Sequence, residues 1–212
     1  MKITKKIPIW GLKKVISRLF DVKLNPFDFG KYHPNLPHAL KELYAIDAFF
    51  AKHDCGFETI RFFANQDRLV TYADLKLTEK DFVFLRENQN NWVCKTSLGS
   101  DKIYLEDRVF TENSGFLKQN LATFLTTFAL QEIGFNLPFY IGLHCEKVVD
   151  ILPNFKKIEP LWSDKNYLNF GHFSYWIVDD DCLLMEAGMN ILATKNAEKL
   201  EHYKGILNHY TF

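Results

Sequence analysis

The segment 81–88, DFVFLREN, constrains this chain more than any other. Phe82 to Leu85 are four apolar residues in succession, which suits a central strand buried on both faces. Residues 88–91, NQNN, are turn material, and 92–96, WVCKT, read as the returning strand of a hairpin. A lone hairpin is marginal in water, so further strands and a helical cover are required. Residues 101–107, DKIYLED, predict a third strand after a turn at Gly99 and Ser100. Upstream, 57–63, FETIRFF, sets Ile60 and Phe62 against Arg61 and Phe63 and predicts another strand, followed by a helical turn near Leu69–Leu75.

Two helices flank these strands. Residues 36–50 place Leu36, Leu40, Leu43 and Phe50 on one side, with Pro37 in the first turn, where its missing N–H is harmless. Residues 114–133 repeat the pattern with Leu117, Leu121, Phe124, Leu125 and Phe128, capped by Asn113 or Ser114 and ended by Gly134. Beyond Pro138, 139–143 and 147–152 are short apolar runs, and 153–169 read as loop. HFSYWIV, 172–178, and CLLME, 182–186, form a hairpin around the acidic turn Asp179–Asp181, and 195–208 form a closing helix. The pattern predicts an α+β fold, a largely antiparallel central sheet flanked by helices, with a C-terminal hairpin and helix that continue the sheet. The segments divide as 1–34, a basic helix and loop; 35–135, the core; and 136–212, an extension packed on the same domain.

Charge is unevenly distributed. The 26 basic and 26 acidic groups cancel, but residues 1–23 hold seven basic groups against Asp21 alone. The remainder carries 19 basic and 25 acidic groups, a net of −6. An acidic body disfavours nucleic acid and anionic lipid and favours a basic partner. Leu12, Val15, Ile16, Leu19 and Phe20 give the basic segment an apolar stripe, suited to packing on the body, with membrane-surface contact as the alternative. No stretch reaches the ~20 apolar residues of a membrane span, and 1–23 lack a signal peptide's continuous apolar run. Cys55, Cys94, Cys145 and Cys182 are scattered, as in a cytoplasmic protein.

Motifs of catalysis are absent: no nucleophile elbow, phosphate-binding loop or dinucleotide fingerprint occurs. His144 and Cys145 are adjacent, and neighbours diverge on either a strand or a helix, so adjacency makes no dyad. His53 and Cys55 have no matching ligand pair, and Asp179–Asp181 are explained by a turn, so neither a metal nor another cofactor is expected. The chain reads as a binding protein.

The order of elements resembles the SUKH superfamily, which includes fungal cell-wall-synthesis regulators and bacterial toxin-immunity proteins. The resemblance covers about residues 35–135 and rests on Leu36-Pro37 opening a helix, Leu43-Tyr44 within it, and Phe84-x-x-Glu87-Asn88-Gln89 followed by Trp92. A Glu-rich helix before Leu-Pro and an Asn-Gly-Gly after that helix, seen in many members, are missing. The resemblance implies a non-enzymatic cytoplasmic immunity protein that binds a cognate toxin domain, a basic nuclease being one fit to the acidic body. A superfamily adaptor without a toxin is the alternative, and a small Cys-dependent hydrolase is a third. Glu87, Asn88 and Gln89 suit a strand-to-turn junction, with Asn88 taking left-handed backbone and the carboxylate and amide satisfying sheet-end amides. Partner contacts are expected among Glu87, Trp92, Trp162, Trp176, Asp179, Asp180 and Asp181.

Overall fold

The computed structural model describes residues 11–52, 61–169 and 171–211. Its elements in chain order are α1 (Leu12–Phe20), α2 (His38–Phe50), β1 (Asp67–Leu69), β2 (Phe82–Glu87), β3 (Trp92–Thr96), β4 (Tyr104–Asp107), β5 (Gly115–Phe116) and α3 (Leu121–Asn136). There follow β6 (Phe139–Leu143), β7 (Ile158–Tyr167), β8 (Gly171–Val178), β9 (Cys182–Ala187), β10 (Met189–Thr194) and α4 (Ala197–Ile206). The fold is α+β with two antiparallel five-stranded sheets rather than one continuous sheet. The chain divides into two compact units, 25–132 and 1–24 with 133–212. The N-terminal helix therefore groups with the C-terminal half, and the division falls inside α3.

In the unit 25–132 the strands run in simple order, β1-β2-β3-β4-β5. Leu69, Leu85, Cys94 and Leu105 pair in turn across four strands and share one face, and all are buried. Helices supply the cover: Phe84 meets Phe124 of α3 edge-on, with ring centroids 6.1 Å apart. The expected strand at 57–63 lies partly outside the described residues, and its remainder is not a strand. Phe62 and Phe63 are both buried in a turn, whereas a strand would send neighbours to opposite faces. Phe62 stacks on Phe50 of α2 at 4.1 Å, and Phe63 packs near Phe128 of α3 at 5.9 Å. The first strand starts later, at Asp67, and the expected helical turn is a short 3-10 helix, Tyr72–Asp74.

Helix α3 begins at Leu121, not near residue 114. Asn120 caps it by accepting from the Thr123 N–H at 2.9 Å, while Gly115–Phe116 form an edge strand. It also passes through Gly134 to Asn136.

In the other unit the order is β6-β10-β9-β8-β7. Ile141, Leu192, Leu184 and Trp176 form one apolar row, covered by Leu200, Tyr203 and Leu207 of the α4 region and by Val148, Ile151, Leu152 and Phe155. Burying each such side chain contributes roughly 1.5–3 kcal/mol. Strand β7 occupies residues expected to be loop. Pro160 and two register shifts, at Pro160/Trp162 and Asp164/Tyr167, hide its alternation, and its edge position tolerates them. In α1, Leu12, Val15, Ile16 and Leu19 are buried, so its apolar stripe is committed to packing. Among the described residues no helix is long and apolar enough to cross a membrane.

Candidate protein-interaction surface

One end of the sheet in unit 25–132 gathers a turn, a rigid loop and exposed apolar side chains. The β2–β3 turn is built by its own acid. Glu87 accepts hydrogen bonds from the N–H groups of Gln89 and Asn91, both at 2.9 Å, and Asn91 Nδ2 donates to the Gln89 side chain at 3.3 Å. The left-handed residue is Asn90, with φ 63°, rather than Asn88, whose backbone N–H instead donates to Asp67. The Glu-Asn-Gln motif thus has a structural task, closing the hairpin.

Beside this turn stands the loop that follows β4. Arg108 N–H donates to the Asn91 carbonyl at 2.7 Å and ties the two together. Asp107, paired in register with Trp92, is buried and organises the loop. Its Oδ1 accepts from the N–H groups of Val109 and Phe110 at 2.9 and 2.8 Å, and Asn113 Nδ2 reaches Oδ2 at 3.3 Å. Ser114 Oγ accepts from the Asp107 N–H at 2.9 Å. The Phe110 and Val109 amides favour the charged carboxylate and hold it below the ordinary range. The loop therefore has a fixed shape, and the two residues after Arg108 are pushed into solvent: Val109 is 55% and Phe110 57% exposed. Farther along the sheet, Phe116 on edge strand β5 is 70% exposed and meets Tyr104 edge-on at 5.4 Å. A groove of about 650 Å³ adjoins Phe116 and is lined by Lys95, Lys102 and Tyr104 as well. Lys95 pairs with Glu106, whose carboxyl is held down chiefly by that bond and further by Arg108.

Of the residues expected from sequence to meet a partner, Glu87 and the half-buried Trp92 belong to this end of the sheet. The others sit in the second unit and are occupied there. Trp162 and Trp176 are core residues, 5% and 4% exposed, so they offer a partner little surface. Asp179 and Asp180 take left-handed backbone, with φ 45° and 77°, and turn the β8–β9 hairpin. Asp179 accepts from Lys157 N–H at 2.7 Å and from the Tyr203 hydroxyl. Asp180 pairs with Lys157 at 2.5 Å and Arg18 at 2.8 Å, and Asp181 with Lys199. These acids fasten α1 and α4 to the hairpin. Leu36, at the opening of α2, is buried, and Pro37 precedes the helix in extended geometry as its cap residue.

Val109, Phe110 and Phe116 were not foreseen. For the first two the signal is a pair of apolar residues after Asp107-Arg108, outside any periodic segment. Only the loop geometry distinguishes them from a continuation of β4.

The described cysteines, Cys94, Cys145 and Cys182, are free thiols. Cys145 is pushed up, first by burial and also by Glu186 and Asp150, although the Asn190 amide opposes this at 3.4 Å. A nucleophilic thiol needs the opposite shift. Among the described residues no group of three or more His, Cys, Asp or Glu is placed to hold a metal ion, and the His53/Cys55 pair lies outside them. No protein-family model matches the chain, and no curated protein or solved structure matches it.

Proposed function

We propose that the chain is a non-enzymatic immunity protein that binds and neutralises a cognate toxin domain. Its contact surface is the Arg108–Phe110 loop, the adjoining Glu87–Trp92 turn and the exposed Phe116. One observation carries the reading: a buried aspartate spends its hydrogen bonds on fixing a loop whose outward residues are apolar. A fixed loop loses little entropy on binding, and apolar anchors ringed by charge are what partner surfaces use. The net charge of −6 outside the first 23 residues favours a basic partner, such as a nuclease domain, by speeding encounter. The reading places the protein in the cytoplasm, where its free thiols stay reduced. The SUKH resemblance supports the same role.

The test begins with affinity capture of the tagged chain from its own cells. The captured partner is then expressed alone and together with this chain, and growth is scored. Relief of toxicity by the wild-type chain supports the proposal. A partner belonging to a housekeeping or envelope complex, harmless on expression, points instead to the adaptor role.

A further inference from the structure

Where the apolar face of the second unit's sheet ends, a groove holds two opposite charges that pair with no protein group. Asn190, Glu186 and Ser174 lie in register across β10, β9 and β8, one step of two residues from the apolar row of Leu192, Leu184 and Trp176. The neighbours of Glu186 in that row are committed elsewhere. Asn190 Nδ2 donates to the Cys145 carbonyl at 2.8 Å. Ser174 Oγ lies 2.9 Å from His172 Nε2 and 3.4 Å from Ser163 Oγ, and Ser163 Oγ lies 2.7 Å from the same Nε2. Glu186 is half-buried and Lys147 exposed, and among the described residues neither side chain makes an ion pair or hydrogen bond. Both line a groove of about 350 Å³ whose apolar wall includes Val149, Leu152 and Trp176, with His172 beside them.

We propose that this groove binds a free α-amino acid with an apolar side chain. Such a ligand carries an ammonium and a carboxylate on one carbon, and so meets both unpaired charges at once. Glu186 accepts hydrogen bonds from the ammonium, and Lys147 donates to the carboxylate. Ser163 donates its hydroxyl to His172 Nε2, which leaves the ring proton on Nδ1 as a second donor for the carboxylate. Leu152 and Trp176 are buried and Val149 is 56% exposed, apolar surface that the ligand's side chain removes further from water. A simple amine or a simple carboxylic acid would leave one charge of the groove unmatched beside that apolar wall, where an unpaired charge is costly. The interior of a peptide carries neither charge. Binding breaks no bond, so the site adds ligand recognition to a chain proposed to act without catalysis. The groove and the proposed contact surface belong to different units, and neither proposal rests on the other.

The full chain is titrated by calorimetry with L-leucine and with L-phenylalanine. The expected result is saturable binding of at least one of them, one per chain, with a Kd of about 1 mM or tighter. The amide and the N-acetyl derivative of that amino acid each lack one charge, and glycine lacks the apolar side chain. All three bind at least ~10-fold more weakly, as loss of a charge-assisted bond or of apolar burial requires. Glu186→Gln and Lys147→Met each weaken binding of the parent amino acid at least ~10-fold. The N-acetyl derivative, with no ammonium for Glu186 to meet, binds Glu186→Gln and the wild-type chain alike. Circular dichroism and the thermal midpoint verify that each variant is folded. No saturable binding of either amino acid in the millimolar range, a derivative that binds as tightly as its parent, or unchanged affinity in either folded variant overturns the proposal.

Discussion

Glu132 shows how much one buried side chain decides. Standing on α3 inside unit 25–132, it accepts the N–H groups of Asn65 at 2.7 Å and of Gln66 and Asp67 at 3.0 Å. These bonds fix the approach to β1 and favour the carboxylate, yet burial outweighs them and raises the acid to about 7. Asp67 is likewise raised to about 7, by burial first and then by Glu87 opposite it. Unfolded carboxylates titrate near ~4, so between about 4 and 7 the folded state holds protons that the unfolded chain has lost. Stability therefore falls as pH rises through that window and levels off above it. Urea midpoints from pH 4.5 to 8 should show this decline, and Glu132→Gln should flatten it. A wild-type midpoint that rises with pH across the window, or an unchanged slope in Glu132→Gln, contradicts this account.

A second residue-scale expectation concerns Gly134. A Cβ there would collide with Sδ and Cε of Met185, which is fully buried. The glycine serves the close approach of α3 to β9, not the end of the helix. Gly134→Val should cost roughly 1–3 kcal/mol, measured by urea unfolding, because the buried Met185 side chain must shift to admit the added atoms. An unchanged midpoint would show that Met185 can repack freely.

At the scale of elements, legibility in the sequence followed regularity. The hairpins β2–β3 and β8–β9 were plain because their apolar runs are bounded by turn residues, and α2 and α4 because apolar spacing and flanking residues agreed. Failures occurred where packing overrode pattern. Phe62 and Phe63 mimic alternation but are two consecutive anchors on α2 and α3. Pro160 and the bulges of β7 conceal an edge strand. Strand β10 was not anticipated either, since Gly188 with φ 77° turns directly into it and its pairing with β6 is remote in sequence. Of the proposed contact surface, the motif singles out Glu87 and Trp92, and the structure gives Glu87 the task of closing the β2–β3 turn. The exposed loop was not legible, because the hydrogen bonds that fix it come from the side chain of Asp107. The Ser163–His172 contact was equally hidden, as strand register brings together residues that no local motif links.

For the whole molecule, the proposed contact surface belongs to one of the two units. Unit 25–132 presents apolar side chains on a fixed loop, whereas the other spends its clustered acids internally on Lys157, Arg18 and Lys199. The central claim is that the molecule works by binding through that contact surface. Capturing the wild-type chain and a Val109→Asp/Phe110→Asp variant side by side from its own cells, with the partner quantified by mass spectrometry, tests it most directly. Both positions are exposed, so the variant should fold with an unchanged thermal midpoint. Loss of an anchor pair worth at least ~2 kcal/mol predicts about 30-fold weaker binding and loss of the stoichiometric partner. Recovery of the same partner in equal amount by the folded variant would contradict the claim.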